Sequence, residues 1–179
     1  MKQITLKDKV FEVSIPSEKI QKAITRVAQS INKDFTAKEV PLFISVLNGS
    51  FMFTADLLKQ IDFNCEISFL KLSSYQGTSS TGSVKQLIGI NEKISGRDVI
   101  VLEDIVDTGI TLEQIVKELN KFGARSVKIT TLLLKPEAYD KDIAIDYVGL
   151  EIPNDFIIGY GLDYDGLGRN LPDIYTLKS

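Results

Sequence analysis

The chain has 179 residues, with 21 Lys and Arg against 24 Asp and Glu and a formal charge of −3, so it is long enough for one α/β domain with its own core and lacks the basic excess of a nucleic-acid binder. One cysteine, Cys65, excludes a disulfide framework or a cysteine-rich zinc site, and the absence of histidine excludes imidazole triads and His-ligated metals. Any catalysis falls to carboxylates, Lys, Tyr and backbone amides.

The first residues lack the apolar region of a signal peptide, and no later apolar run approaches the ~20 residues of a membrane span, so a cytoplasmic protein is expected. Residues 1–16 read as a short strand or leader. Ser17 is placed to N-cap a helix that carries Ile20, Ala23, Ile24, Val27 and Ile31 on one face. Val40 to Leu47 reads as a buried strand with Pro41 at its start, and Asn48-Gly49-Ser50 as a tight turn into a helix from Phe51 to about Gln60. Such a turn offers backbone N–H groups to an anion, although most strand–helix turns merely connect. Glu66 to Leu72 is a further strand. Of the eleven residues 73–83, nine are Ser, Thr or Gly, a composition that packs no core. Val84 to Ile90 returns as a strand.

Val99 to Leu102 is continuously apolar, as suits a strand covered on both faces. Beyond it, Leu112, Ile115, Val116, Leu119 and Phe122 recur at helical spacing, and Gly123 stands where a C-terminal cap belongs. The turn Asp107-Thr-Gly-Ile-Thr111 therefore places backbone donors and two hydroxyls at a helix N-terminus, where a phosphate is favoured. Glu103 and Asp104 stand just upstream. Acids often do no more than end a strand, but here two carboxylates adjoin a phosphate cradle. They would repel an anion unless a divalent cation or sugar hydroxyls stood between, so the stretch implies a phosphorylated sugar with magnesium. Aspartic proteases also carry Asp-Thr-Gly but need two such aspartates in one site. Neither a Gly-x-Gly-x-x-Gly fingerprint nor a Gly-Lys-Ser/Thr phosphate loop is present. Arg125 to Leu134 reads as the next strand and ends at Lys135-Pro136. Alternating strands and helices predict a mostly parallel sheet flanked by helices, with its site at the strands' C-terminal ends. From Asp146 onward the pattern shortens to strands and turns, read as a small hood over that rim. One domain is expected, with a core at about 36–135 and a hood formed by about 136–179, possibly with the leader.

Leu102-Glu-Asp-Ile-Val-Asp-Thr-Gly-Ile-Thr111 resembles the 5-phosphoribosyl 1-pyrophosphate (PRPP) signature of the type I phosphoribosyltransferases, and its Glu-Asp pair resembles that of their hypoxanthine-guanine members. In order along the chain, Lys135, Glu151-Ile-Pro153, Phe156-Ile157, Gly159-Tyr-Gly-Leu-Asp163 and Arg169-Asn-Leu-Pro172 are similar to the purine-binding hood of the 6-oxopurine enzymes. The resemblance implies the type I fold and a magnesium-dependent purine-salvage transferase that joins hypoxanthine or guanine to PRPP, giving IMP or GMP and pyrophosphate. By the same resemblance, Glu103 and Asp104 hold ribose hydroxyls and Mg2+, and Thr108, Gly109, Ile110 and Thr111 cradle the 5-phosphate. Asp107 is the chosen proton acceptor, being the titratable group best placed on the turn. Leu47, Asn48, Gly49 and Ser50 match the pyrophosphate loop, often built with a cis peptide, with Arg169 as its distant arginine. Asn48 departs from the lysine that many members carry there. Lys135 would donate to the 6-oxo and N7 edge, Phe156 would stack the base, the Ile157 backbone and Asp163 would face the 2-position, and Asp163 would also meet a second magnesium. Ser73, Ser74 and Tyr75 match a flexible lid. A homo-oligomer, dimer or tetramer, is implied. The alternatives are a PRPP-binding regulator without catalysis, for which the chain has no basic cluster, and a preference for xanthine.

Overall fold

The computed structural model describes residues 3–36, 39–74, 84–88 and 92–178, with the backbone alone at 72–74 and 84–88. Tyr75 and most of the 73–83 segment read as a lid lie outside the described residues. The elements in chain order are β1 (Gln3–Leu6), β2 (Lys9–Ile15), α1 (Ser17–Asp34), β3 (Leu42–Leu47), α2 (Phe51–Leu58), β4 (Glu66–Ser74), β5 (Val84–Ile88), β6 (Asp98–Val106), α3 (Ile110–Lys121), β7 (Ser126–Leu134), β8 (Tyr147–Glu151), β9 (Ile157–Ile158) and β10 (Ile174–Leu177).

A six-stranded sheet runs in the order β5-β4-β3-β6-β7-β8, with β5 antiparallel and the other five strands parallel. Alternation along the strands assigns side chains to two cores. Phe43, Ile100 and Leu102 pack with α1 and α2 on one face, whereas Leu42, Ile44, Val46, Val99 and Val101 pack with Leu112, Ile115 and Leu119 of α3 on the other. Burial on both faces explains why β3 and β6 read as unbroken apolar runs. Helix α3 ends as its sequence predicts. Gly123 adopts φ +76°, its N–H reaches the Asn120 carbonyl at 3.0 Å, and the Ala124 N–H reaches the Leu119 carbonyl at 3.2 Å, the paired bonds of a Schellman motif.

The second sheet is antiparallel, in the order β1-β2-β10-β9, and encloses Phe11, Ile158 and Tyr175. The leader is thus a hairpin, and it joins the hood. Two expectations are corrected. Tyr147–Glu151 belongs to the large sheet, pairing in parallel with β7 from Thr130↔Tyr147 to Leu134↔Glu151, so the hood does not include everything from residue 136 onward. Ser17 is the first helical residue of α1, not its N-cap. Pro16 occupies the cap position without a side-chain bond, and the Ser17 N–H is satisfied at 2.8 Å by the carboxylate of Asp173, far along the chain. Smaller differences concern ends: β3 begins at Leu42, after Pro41, which has no N–H for a ladder although its carbonyl accepts from the Glu66 N–H (3.1 Å), and α2 stops at Leu58.

Candidate active site

The parallel strands β3, β6 and β7 end at one rim, which brings together three connections far apart in sequence: Asn48-Gly49 after β3, Asp107–Gly109 after β6 and Lys135 after β7. A cavity of about 390 Å³ opens there, lined by Val46, Leu47, Asn48, Gly49, Glu103, Asp104, Ile105 and Thr111 from the core and by Asp163 and Arg169 from the hood. A smaller one of about 110 Å³ adjoins it and is lined by Glu103 and the stretch from Ile105 to Leu112.

The Leu47–Asn48 peptide is cis, and the following loop is fitted closely to the acid pair. A Cβ at Gly49 would stand 1.4 Å from Asp104 Oδ2, so only glycine lets that carboxylate lie against the loop. Glu103 is buried, and Asp104 keeps limited access through the cavity. Burial, with the Asp104 charge beside it, pushes the Glu103 carboxyl well above the usual carboxylate range. Burial raises Asp104 to about 6, opposed by the Ile105 N–H (2.9 Å) and Arg169 and reinforced by Asp163. Two acids held with so little compensation are the groups here that could hold a cation. Paired carboxylates are the hard oxygen donors that Mg2+ uses while completing its shell with water and phosphate oxygens. Among the described residues, no group of three or more acidic or Cys side chains is placed to hold a metal alone.

At the adjoining loop, Gly109 adopts φ +79° at the N-cap of α3, with no side-chain cap. The helix's first turn thus opens beside the exposed Thr108 and Thr111, a group of donors that could receive an anion. Tyr139 and Lys141 back the loop, since a Cβ at Gly109 would meet them at 2.5 and 2.9 Å. Lys135 Nζ lies 3.1 Å from Asp107 Oδ2, joining two of the residues singled out from the sequence into one ion pair. Arg169 is paired with Asp163 at 2.5 Å and donates to the Gly161 carbonyl at 2.7 Å.

Phe156 and Ile157 line neither cavity. Phe156 is 46% exposed and is held in the hood by Phe11 and Tyr164 at ring separations of 6.2 and 5.9 Å, with Lys9 Nζ 5.6 Å from its centroid. Ser50 is turned from the cavity. Its hydroxyl donates to the Val46 carbonyl and meets Ser45 at 2.8 Å, and Ser45 in turn meets Thr54 at 2.8 Å. Ser45 and Thr54, which hold the loop from beneath, escape a reading of motifs. The visible signal was a lone hydroxyl inside the apolar run Leu42–Leu47, facing two more spaced four apart at the start of α2.

The phosphoribosyl transferase domain matches residues 16–165. The chain is 41% identical over 174 residues to the hypoxanthine-guanine phosphoribosyltransferase of Bacillus subtilis, covering 97% of this chain and 96% of that one. It is 42% identical over 168 residues to the enzyme of the same description from Staphylococcus aureus, covering 93% of each. A crystal structure of a Staphylococcus aureus hypoxanthine phosphoribosyltransferase superimposes with a TM-score of 0.87 at 42% identity, covering 93% of this chain and 91% of that one. A Bacillus anthracis hypoxanthine-guanine phosphoribosyltransferase, with HEPES in its active site, also gives 0.87, at 38% identity, covering 96% and 99%. With likeness to these enzymes along nearly its whole length, at 41–42% identity to the curated ones, the chain belongs to the phosphoribosyltransferase family, among its hypoxanthine-guanine enzymes.

Proposed function

We propose that the chain transfers the phosphoribosyl group of PRPP to hypoxanthine or guanine, giving IMP or GMP and pyrophosphate. The observation that carries this reading is the adjacency of the two cavities, whose linings share Glu103, Ile105 and Thr111 and set an acid pair between the helix-terminal loop on one side and a glycine loop with an arginine on the other. That sequence of groups suits a ligand with phosphate at both ends and a diol between them.

The backbone donors and hydroxyls of Thr108 to Thr111 receive the 5-phosphate, and Glu103 and Asp104 face the ribose hydroxyls. The same two carboxylates would hold Mg2+, whose chemistry when bound is to neutralise charge on the departing pyrophosphate. Asn48 supplies no fixed charge, so the protein's grip on pyrophosphate rests on backbone amides of the Leu47–Gly49 loop and on Arg169, which exchanges part of its pairing with Asp163 for the ligand. As the bond from ribose C1 to pyrophosphate oxygen breaks and the bond to purine N9 forms, the proton on N7 passes to Asp107. Lys135 at 3.1 Å supports this role, because it puts a donor for the 6-oxo group beside the acceptor for the N7 proton. Phe156 supplies a stacking face, and Ile157 and Asp163 face the 2-position.

The test is PRPP-dependent nucleotide formation from hypoxanthine, guanine, xanthine and adenine. Hypoxanthine and guanine should be used and adenine rejected, because an amino group would face the Lys135 donor. Asp107→Asn should lower turnover ~10²–10⁴-fold with PRPP affinity nearly unchanged, and Lys135→Ala should slow both oxopurines and narrow their lead over adenine. Use of adenine by the wild type as readily as hypoxanthine would reject the reading.

A further inference from the structure

We propose that Tyr160 is a positioning residue for the pyrophosphate end of the site, acting as a tether that holds the hood's arginine loop down onto the loop after β3. The proposal rests on the reading of PRPP as the ligand of the larger cavity. Tyr160 touches none of that ligand's expected atoms. It is nearly fully buried, at φ +47° between Gly159 and Gly161, and its hydroxyl donates to Asp56 Oδ2 of α2 at 2.5 Å. Gln21 of α1 donates to the same carboxylate oxygen at 2.7 Å and reaches the Tyr160 hydroxyl at 3.2 Å, while Lys59 pairs with Asp56 Oδ1 at 2.6 Å. Burial and the neighbouring Asp56 charge push the phenol far above its usual range, so it stays a donor.

What this tether positions is given by the next residue. A Cβ at Gly161 would lie 2.0 Å from the Gly49 carbonyl oxygen, so the hood backbone rests directly on the cavity loop. Gly161 also exchanges two bonds with Arg169: its N–H donates to the Arg169 carbonyl at 2.9 Å, and its carbonyl accepts from the Arg169 guanidinium at 2.7 Å. Arg169 then pairs with Asp163. An unbroken path thus leads from Asp56, on the helix that opens just beyond Gly49, through Tyr160 and Gly161 to the arginine facing the cavity. Removing the hydroxyl frees the hood loop to lift from Gly49, widening the distance between the two groups that must grip one pyrophosphate. A nucleoside monophosphate spans the 5-phosphate loop and the base but not this grip, so it should be indifferent.

Calorimetry with PRPP, pyrophosphate and IMP on Tyr160→Phe, Asp56→Ala and Asp56→Asn tests the tether. Tyr160→Phe and Asp56→Ala should each weaken PRPP and pyrophosphate about tenfold, as for loss of a hydrogen bond to a charged group, with IMP affinity within about twofold of wild type. Asp56→Asn keeps an acceptor for the phenol and should restore most of the loss. Equal weakening of IMP and PRPP would mean a general loosening of the hood and would overturn the proposal, as would unchanged pyrophosphate affinity in both Tyr160→Phe and Asp56→Ala. A wild type that binds pyrophosphate but not PRPP would unseat the substrate reading while leaving the comparison among variants decisive for the tether.

Discussion

Gly49 and Asp104 divide stability from function at the scale of single residues. The loop admits only a hydrogen at position 49 because the Asp104 carboxylate fills the place of a side chain, and that carboxylate is itself raised from 3.8 to about 6. In the unfolded chain Asp104 ionises near 4, and in the fold near 6. Between those values the folded state holds the extra proton, so this group's contribution to stability falls as pH rises through the window and stays reduced above it. Asp104→Asn should therefore stabilise the ligand-free protein at pH 8 by roughly 1–3 kcal/mol, given partial access to solvent, with the advantage gone below about pH 4 and with PRPP binding lost. Asp56 and Asp98, whose partners lower them, act in the opposite sense in wild type, so the comparison is of variant with wild type by urea unfolding at each pH. An advantage that grew toward acid pH would contradict the assignment.

Elements differed in how legible they were, for a physical reason. The β6–loop–α3 unit could be read because its signals are contiguous: an apolar run, acids, hydroxyls, then a helical period ending at Gly123. For the same reason much of the lining of the two cavities is legible, since Glu103 to Thr111 is one stretch. Strand β8 could not be assigned to its sheet, because Tyr147-Val-Gly-Leu-Glu151 has the length and alternation of any short strand, and only the partner β7 decides its place. The α1 cap is likewise decided at a distance. Ser17 is the right residue type, but its N–H is satisfied by Asp173, 156 residues away. Tyr160 stands inside the motif Gly159-Tyr-Gly-Leu-Asp163, but its link to Gln21 and Asp56 is invisible in the sequence because the three come from separate parts of the chain. Asp173→Ala should cost about 1 kcal/mol in stability, the usual size of a lost cap, whereas Ser17→Ala, measured by the same denaturation, should cost only a few tenths, because the bond uses the backbone. Equal losses would restore Ser17 as the cap.

On the scale of the molecule, the two sheets contrast in how far their strands reach along the chain. The large sheet pairs β3 with β4 through α2 and β6 with β7 through α3, while the hood joins β2 to β10 over about 160 residues, as in the Ser14 bond to the Ile174 carbonyl. Strand β10 lies between β2 and β9, so the hood sheet has no continuity without it. The consequence appears during synthesis. By the time Arg169 has emerged from the ribosome, every residue placed in the chemistry is present, from the loop after β3 to the hood arginine, and the parallel strands can already pair. Yet the leader hairpin and β9 have nothing between them until Ile174 to Leu177 follow. A chain lacking β10 but keeping Arg169 would carry every one of those residues without a closed hood sheet to aim them, so this one short strand turns an inventory of residues into a site.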